Sequence, residues 1–239
     1  MAGWCRIRRT ACWLGLAVLT AACLLAAYRL PTFSRAGRSH AAAQPVRQYA
    51  ILIDLDENTL TLLENGRVIR RCPCATGKAD TPSPVGYFKI TRKSRWGEGF
   101  GGYFLGMNVP WGIYGIHGTT SPDSVGQNAS HGCFRLLDDD IRELYETVGR
   151  GTPVLIVSGV YGAFGHGFRT ISPGMSGQDV LLMQKTLRRL GYFSGECSGR
   201  YDTRDFQEAI HRFQQDYDLP ISDSIGRKMA QIMGLSVIE

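Results

Sequence analysis

The first 47 residues contain no aspartate or glutamate, although the whole chain carries 21 acidic residues. The same stretch holds seven arginines, so the formal charge of +6 arises there. Positions 48–239 are left with 27 − 7 = 20 basic against 21 acidic residues. Because binding to a phosphate backbone requires an excess of basic groups, we expect no nucleic acid partner.

Residues 48–239 also lack the cysteine density of a small disulfide-stapled domain, since only Cys72, Cys74, Cys133 and Cys197 lie there. Cys72 and Cys74 are too close in sequence to bridge each other without strain, and we expect both side chains to share one strand face. With 44% apolar residues the chain is not disordered. A free thiol in this part of the chain therefore needs an explanation, although Cys72, Cys74 and Cys197 receive no predicted role.

An uncharged apolar run from Ala11 to Tyr28 follows three arginines near the N-terminus. This order is typical of an export signal or a membrane anchor. We predict that residues 1–28 are a cytoplasmic basic stub and a signal-anchor or transmembrane segment that contacts the membrane. Signal cleavage and lipidation at Cys23 are the alternatives. All three place the rest of the chain outside the cytoplasm.

Residues 29–47 show no apolar periodicity and are rich in alanine, serine, proline and arginine, which predicts a linker. Short β-type segments and turns then alternate as far as residue 157. Asn65-Gly66 between two apolar runs predicts a β-hairpin. We therefore expect a β-rich domain over residues 48–157. Its predicted strands cover 49–55, 59–63, 67–72, 86–91, 103–109, 113–117 and 153–157.

One predicted helix interrupts these strands, with Asp138 as its cap and an apolar face formed by Ile141, Leu144, Tyr145 and Val148. A glycine-rich connector over residues 158–172 follows the last strand. Beyond it the apolar period changes to about 3.6, which predicts a three-helix domain over residues 173–239. The three predicted faces are Val180, Met183, Leu187 and Leu190; Phe206, Ile210, Phe213 and Tyr217; and, after a cap at Ser222, Ile225, Met229 and Ile232.

The densest group of reactive residues lies between His117 and Arg135. Cys133 follows a glycine, so the backbone there can approach a substrate carbonyl, and the amides of Gly132 and Cys133 can point at a developing oxyanion. His117 ends a predicted strand and can take the thiol proton. This arrangement suits acyl transfer through a thioester. A disulfide at Cys133, or a zinc site that adds His131, is the alternative reading of these residues.

The segments His117-Gly118 and Ser130-His131-Gly132-Cys133-Phe134-Arg135 resemble the signature of the L,D-transpeptidase catalytic domain. Ala75–Lys78 and Thr81–Ile90 resemble that family's upstream motifs, with two extra residues before Gly86. The resemblance covers about residues 48–157. It implies a mixed, mostly antiparallel β-sandwich and a cofactor-free, metal-free transfer reaction on peptidoglycan stem peptides.

The resemblance also implies a role for each matching residue. Cys133 is the expected nucleophile, His117 the general base, and the Gly118 carbonyl the group that orients His117. His131 is expected to line the site. The oxyanion and substrate-binding residues are expected to be Ser130, Gly132 and Arg135, with Arg135 meeting a substrate carboxylate. Cys133 would attack the carbonyl of the third stem residue and expel the terminal D-alanine, after which an amine of a neighbouring stem would form the cross-link.

Residues 176–220 resemble the three-helix peptidoglycan-binding domain, although Cys197–Asp202 departs from that domain's usual second turn. This second resemblance implies that the glycan is also a partner, on the cell-wall or periplasmic side of the membrane. We expect a monomer. Two alternatives stay open: L,D-carboxypeptidase or cysteine peptidase activity on the same peptides, and a wall-binding protein without catalytic activity.

Overall fold

The computed structural model describes residues 47–159 and 162–235. The predicted anchor at residues 1–28 and the predicted linker up to residue 46 lie outside the described residues. Among the residues that are described, no helix is both long and apolar enough to cross a membrane.

Ten strands and four α-helices run through the described residues. They are β1 (Tyr49–Asp54), β2 (Thr59–Glu64), β3 (Arg67–Pro73), β4 (Thr76–Gly77), β5 (Gly86–Arg95), β6 (Tyr103–Met107), β7 (Gly115–His117), β8 (Asn128–Ser130), β9 (Phe134–Arg135), α1 (Asp138–Thr147), β10 (Pro153–Val157), α2 (Gln178–Arg189), α3 (Arg204–Asp216) and α4 (Arg227–Ile232).

The predicted hairpin joins β2 to β3. Asn65 and Gly66 have φ angles of 50° and 78°, which a two-residue hairpin turn of type I′ requires. Glycine adopts such angles without a steric penalty, and asparagine is the other residue most often found there. The local sequence thus determines this turn.

Eight strands form one mixed sheet in the order β3-β2-β1-β10-β5-β6-β7-β9. The pairs β1–β10 and β7–β9 are parallel, and the other pairs are antiparallel. The register shifts in β5 between Ile90 and Arg92, and such a bulge bends a strand. The short strands β4 and β8 pair separately, in parallel. A mainly β fold with a small helical C-terminal region is therefore confirmed.

Alternating residues of the sheet form the first core, as Ile51 and Ile53 of β1 illustrate. Helix α1 packs Ile141 and Leu144 against it. The predicted cap at Asp138 is wrong, because Leu137 occupies the cap position and Asp138 is already the first helical residue. The Asp138 Oδ1 atom instead accepts a hydrogen bond from the Thr119 N–H at 3.3 Å.

The C-terminal helices enclose a second core that contains Val180 and Met183 of α2 and Phe206 and Phe213 of α3. Leu190 and Tyr217, predicted on buried faces, are 36% and 46% exposed, because α2 and α3 end one residue before them.

The start of the last helix also differs from its prediction. Ser222 does not cap α4, which begins at Arg227 after Gly226. The Ser222 N–H donates to Gln214 Oε1 at 2.8 Å instead. Ile225 is buried before the helix, in a β-bridge with Ile171, whereas Ile232 at the helix end is 37% exposed.

The four cysteines in the described part of the chain are free thiols. Cys72 and Cys74 are both buried, as their shared strand face predicts. Burial raises the pKa of each to about 12.

A substitution of Gly77, at the end of β4, tests how closely the two-stranded sheet of β4 and β8 packs against its neighbours. A methyl group at this position would lie 2.3 Å from the Thr81 carbonyl oxygen and 2.5 Å from the Ser83 nitrogen. We expect Gly77→Ala to lower the free energy of unfolding by about 1–3 kcal/mol, because the backbone must shift. Gly149→Ala is the matched control, since no atom lies within 4 Å of its added methyl group. Equal stability of the two variants in urea unfolding would contradict this packing.

Candidate active site

Parallel pairing of β7 with β9 brings the two predicted catalytic segments together. Ile116 lies opposite Phe134 and His117 opposite Arg135, and Cys133 directly precedes β9. Alternate residues of a strand share one face. The side chains of His117 and Arg135 therefore lie on one face of this pair, Ile116 and Phe134 are fully buried on the other, and Cys133 stands immediately before the strand that carries Arg135.

A backbone carbonyl fixes the orientation of the His117 ring. Nδ1 of His117 lies 2.6 Å from the Gly118 oxygen. Because a carbonyl oxygen can only accept, Nδ1 carries the proton in this bond, and in the neutral ring Nε2 is left unprotonated. This is the contact that the resemblance implies for Gly118.

Gly118 must be a glycine for the backbone to take this path. A methyl group added to it would lie 2.6 Å from the Asp138 Oδ1 atom and 2.7 Å from the Gly101 Cα atom. The Gly118 N–H also donates to the Phe100 oxygen at 3.0 Å. The carbonyl that orients His117 is thus held by close packing and by a backbone bond.

Aromatic rings surround the imidazole, which is 5% exposed. The Phe100 ring meets it edge-on at a centroid distance of 5.2 Å, and Trp96 and Phe104 lie 6.4 Å away. This burial lowers the pKa of His117 from 6.5, the bond to Gly118 opposes the shift, and the charge of Arg135 adds to it. The imidazole is therefore neutral at pH 7 and can accept a proton.

Ser130 closes the tight turn that presents the thiol. Its Oγ atom donates to the Cys133 oxygen at 2.6 Å and accepts from the Gly132 N–H at 3.0 Å. Gly132 has φ +109°, and a methyl group there would lie 2.7 Å from the Tyr114 ring. The turn therefore requires glycine at this position.

The two amides of the predicted oxyanion hole differ in their hydrogen bonds. The Gly132 N–H donates to the Ser130 hydroxyl. The Cys133 N–H, by contrast, has no backbone acceptor among the described residues. One of the two predicted amide donors is thus available.

The segment from Gly77 to Ser83 holds this turn through hydrogen bonds to two of its backbone oxygens. The Lys78 N–H and the Thr81 hydroxyl both donate to the Ser130 oxygen, at 3.1 and 3.2 Å. The Ser83 hydroxyl donates to the Gly132 oxygen at 3.0 Å and accepts from the Gly77 N–H at 2.8 Å. Ser83, which lies in the part of the motif that has two extra residues before Gly86, is fully buried and bridges the two segments.

The Cys133 thiol is half-buried, and its Sγ atom lies 4.0 Å from the Ile113 oxygen. Burial raises the pKa of the thiol above 9.0, whereas a backbone hydrogen bond from Gly115 and the charge of Arg135 lower it. The thiol is therefore protonated at neutral pH, and its reaction as a nucleophile requires a base.

Arg135, His131 and Tyr114 differ in how they contact the rest of the site. Arg135 is half-buried and has no ion-pair partner among the described residues. His131 is exposed, makes no hydrogen bond to a described residue and stands two residues before Cys133, so its predicted place in the lining of the site stays a prediction. Tyr114, whose ring packs against Gly132, is absent from the sequence prediction. Its only signal there is an aromatic residue directly before the glycine that starts β7.

The zinc alternative has no support in the geometry. No three His, Cys, Asp or Glu side chains within the described ranges are grouped to hold a metal ion. A fourth zinc ligand would have to come from Cys72 or Cys74, and both lie buried in the sheet core.

Both parts of the chain match known families. Residues 48–156 match the model of the L,D-transpeptidase catalytic domain, and residues 176–233 match that of the "Putative peptidoglycan binding domain". "Putative L,D-transpeptidase YqjB" of Bacillus subtilis is 30% identical over 127 residues, which cover 44% of this chain and 69% of that protein. The chain belongs to the L,D-transpeptidase family.

Other relatives share the same domain. "Putative L,D-transpeptidase YkuD" of B. subtilis is 41% identical over 109 residues, which cover 45% of this chain. The match spans 65% of the length of YkuD, just under two thirds. The solved structure of LdtMt1 in complex with imipenem is 26% identical and has a TM-score of 0.41, covering 46% of this chain and 59% of that one.

The electrostatics of the thiol predict how fast it is alkylated. Because the charge of Arg135 lowers the pKa of Cys133, we expect Arg135→Gln to slow alkylation by iodoacetamide about threefold at pH 8. In the unaltered chain the rate should keep rising above pH 9. Arg150→Gln, an exposed position after α1, is the control. Peptide mass spectrometry follows Cys133 separately from the other cysteines, and a rate that levels off below pH 8 would contradict the raised pKa.

Proposed function

We propose that this protein is an L,D-transpeptidase that acts on peptidoglycan stem peptides, with Cys133 as nucleophile and His117 as general base. The observation that carries the proposal is the pairing of β7 with β9, which brings the carbonyl-oriented imidazole at the end of β7 to the strand that the free thiol of Cys133 directly precedes. The family membership supplies the substrate class.

In the first half of the reaction His117 Nε2 takes the thiol proton as Sγ attacks the carbonyl carbon of the third stem residue. The Cys133 N–H lies beside the reacting sulfur and donates to the oxyanion that forms. Collapse of the tetrahedral intermediate breaks the peptide bond. The D-alanine amine leaves with the proton from His117, and a thioester remains on Cys133.

In the second half an amine of a neighbouring stem attacks the thioester and gives its proton to His117. The carbon–sulfur bond breaks, a new peptide bond remains, and the sulfur recovers the proton. Arg135, which has no ion-pair partner in the described residues, binds a substrate carboxylate beside the thiol.

The domain assignment belongs to the same proposal. Residues 48–157 form the catalytic domain, residues 158–172 link it to the helical domain, and residues 173–239 bind the cell wall. Tethering a weak wall-binding module beside a catalytic domain raises the local concentration of substrate. We further propose that residues 1–28 anchor the protein in the membrane, with the catalytic part on the outer side, and that the protein is a monomer without a cofactor.

Acylation by a carbapenem tests the nucleophile. Intact-mass spectrometry of the purified protein with imipenem should show a single adduct, because among the four cysteines in the described part of the chain Cys133 is the one proposed to have a base beside its free thiol. Cys133→Ala should abolish the adduct. Cys197→Ser, which removes another half-buried free thiol, is the matched control and should retain it. An adduct that persists in Cys133→Ala would contradict the assignment.

Product analysis with tetrapeptide stems then identifies the acceptor. Cross-linked dimers with release of D-alanine support the transpeptidase. Tripeptides without dimers would instead assign the protein as an L,D-carboxypeptidase, and no product from either route would leave a wall-binding protein.

A further inference from the structure

Arg169, in the connector before the helical region, forms a buried ion pair with Asp179 of α2. Its Nε atom donates to Asp179 Oδ2 at 2.6 Å, and Nη2 donates to Oδ1 at 3.1 Å. Nη2 also donates to the Ser176 oxygen at 2.8 Å. The two side chains are 18% and 5% exposed, so the pair is shielded from water. It ties the connector to the first turn of the helical region.

The third nitrogen of this guanidinium reaches the catalytic domain. Nη1 of Arg169 donates to the Asp80 oxygen at 3.2 Å. Asp80 lies within the segment whose Lys78, Thr81 and Ser83 hold the carbonyls of the catalytic turn. Hydrogen bonds therefore connect α2 to Arg169 and Arg169 to Asp80, and the backbone on either side of Asp80 carries the bonds to the turn that holds Cys133.

Tyr114 also lies close to both the catalytic turn and the Arg169–Asp179 ion pair. A methyl group added to Gly132 would lie 2.7 Å from the Tyr114 ring and 3.2 Å from the Pro82 oxygen. The charges of Cys133, Arg169 and Asp179 all act on the pKa of Tyr114, which burial raises. Tyr114 therefore lies within electrostatic range of both the thiol and the ion pair.

We propose that Arg169 is a positioning residue for the nucleophile, and that the helical region supports the catalytic turn in addition to any binding of the wall. The proposal rests on the proposed function for its catalytic consequence. Its structural part, the link between Arg169 and the turn, does not depend on the substrate.

Arginine suits this position because one planar guanidinium serves three separate acceptors. Lysine would keep the charge beside Asp179 but could not hold the same fork of bonds. Replacing a buried ion pair by apolar residues of similar size often leaves stability unchanged. Such a replacement therefore removes the bond to Asp80 while allowing the helical region to stay folded.

The test compares the double variant Arg169→Met with Asp179→Leu against a matched control. The control replaces another ion pair, Arg70→Met with Asp140→Leu, which joins β3 to α1 and has no bond to the catalytic turn. Two readouts are followed in the full chain. The first is the rate of acylation by imipenem at saturation together with its half-saturating concentration. The second is the backbone amide NMR shifts of Gly132 and Cys133.

We expect the double variant to be acylated at least tenfold more slowly at saturation, with a half-saturating concentration within twofold, because small displacements of a nucleophile cost large factors in rate. The amides of Gly132 and Cys133 should shift. Arg169→Lys should fall between this variant and the unaltered chain. The control should change neither readout, even where its melting temperature falls.

A saturating rate within twofold of the unaltered chain, with unshifted amides, would overturn the proposal. If the double variant does not fold, the acylation rate and the amide shifts of Arg169→Lys decide between the two outcomes. If imipenem fails to acylate the unaltered chain, the proposed function is at fault, and the amide shifts still decide whether Arg169 positions the turn.

Discussion

Parallel backbone pairing between β7 and β9 is the contact on which the candidate site depends. It joins two segments that are separated in sequence by the loop over residues 118–133, and it does so through two residues on each side. Ile116 and Phe134 secure the pair from the core side. With that register fixed, His117 and Arg135 share the opposite face and Cys133 directly precedes the paired strand, and a slip of one residue would turn Arg135 to the other face.

Burial has opposite effects on the two reacting groups. It lowers the pKa of His117 and raises that of Cys133, because each charged form loses contact with water. Both groups are consequently neutral in the resting site. The proton then moves as the sulfur attacks, and the charge of Arg135 favours the thiolate while disfavouring the imidazolium.

Local sequence signals predicted most of the sheet and one of its turns. Asn65-Gly66 determines the β2–β3 hairpin through its own backbone preferences, and alternating apolar residues mark β1 and β2. The pairing of β4 with β8 could not be predicted this way, because each strand has only two or three residues and its partner lies far along the chain. The helix ends were misplaced for a related reason, since apolar periodicity continues past the residue at which a helix stops.

The site was predicted in part. The residues that do chemistry stand out in the sequence, as His117 and Cys133 do, and the resemblance supplied the role of the Gly118 carbonyl. The supporting contacts do not stand out, because Ser83, Tyr114 and Arg169 act through distant backbone atoms and packing. The hydrogen bond from the Gly132 amide to the Ser130 hydroxyl does not stand out in the sequence for the same reason.

The protonation state of His117 is the most direct test of this account. Nitrogen-15 NMR of the imidazole distinguishes the two neutral tautomers from the imidazolium. At pH 7 we expect a neutral ring with the proton on Nδ1, bonded to the Gly118 carbonyl, and Nε2 unprotonated. A proton on Nε2, or a charged ring at that pH, would contradict it, because His117 could not then accept the proton of the thiol.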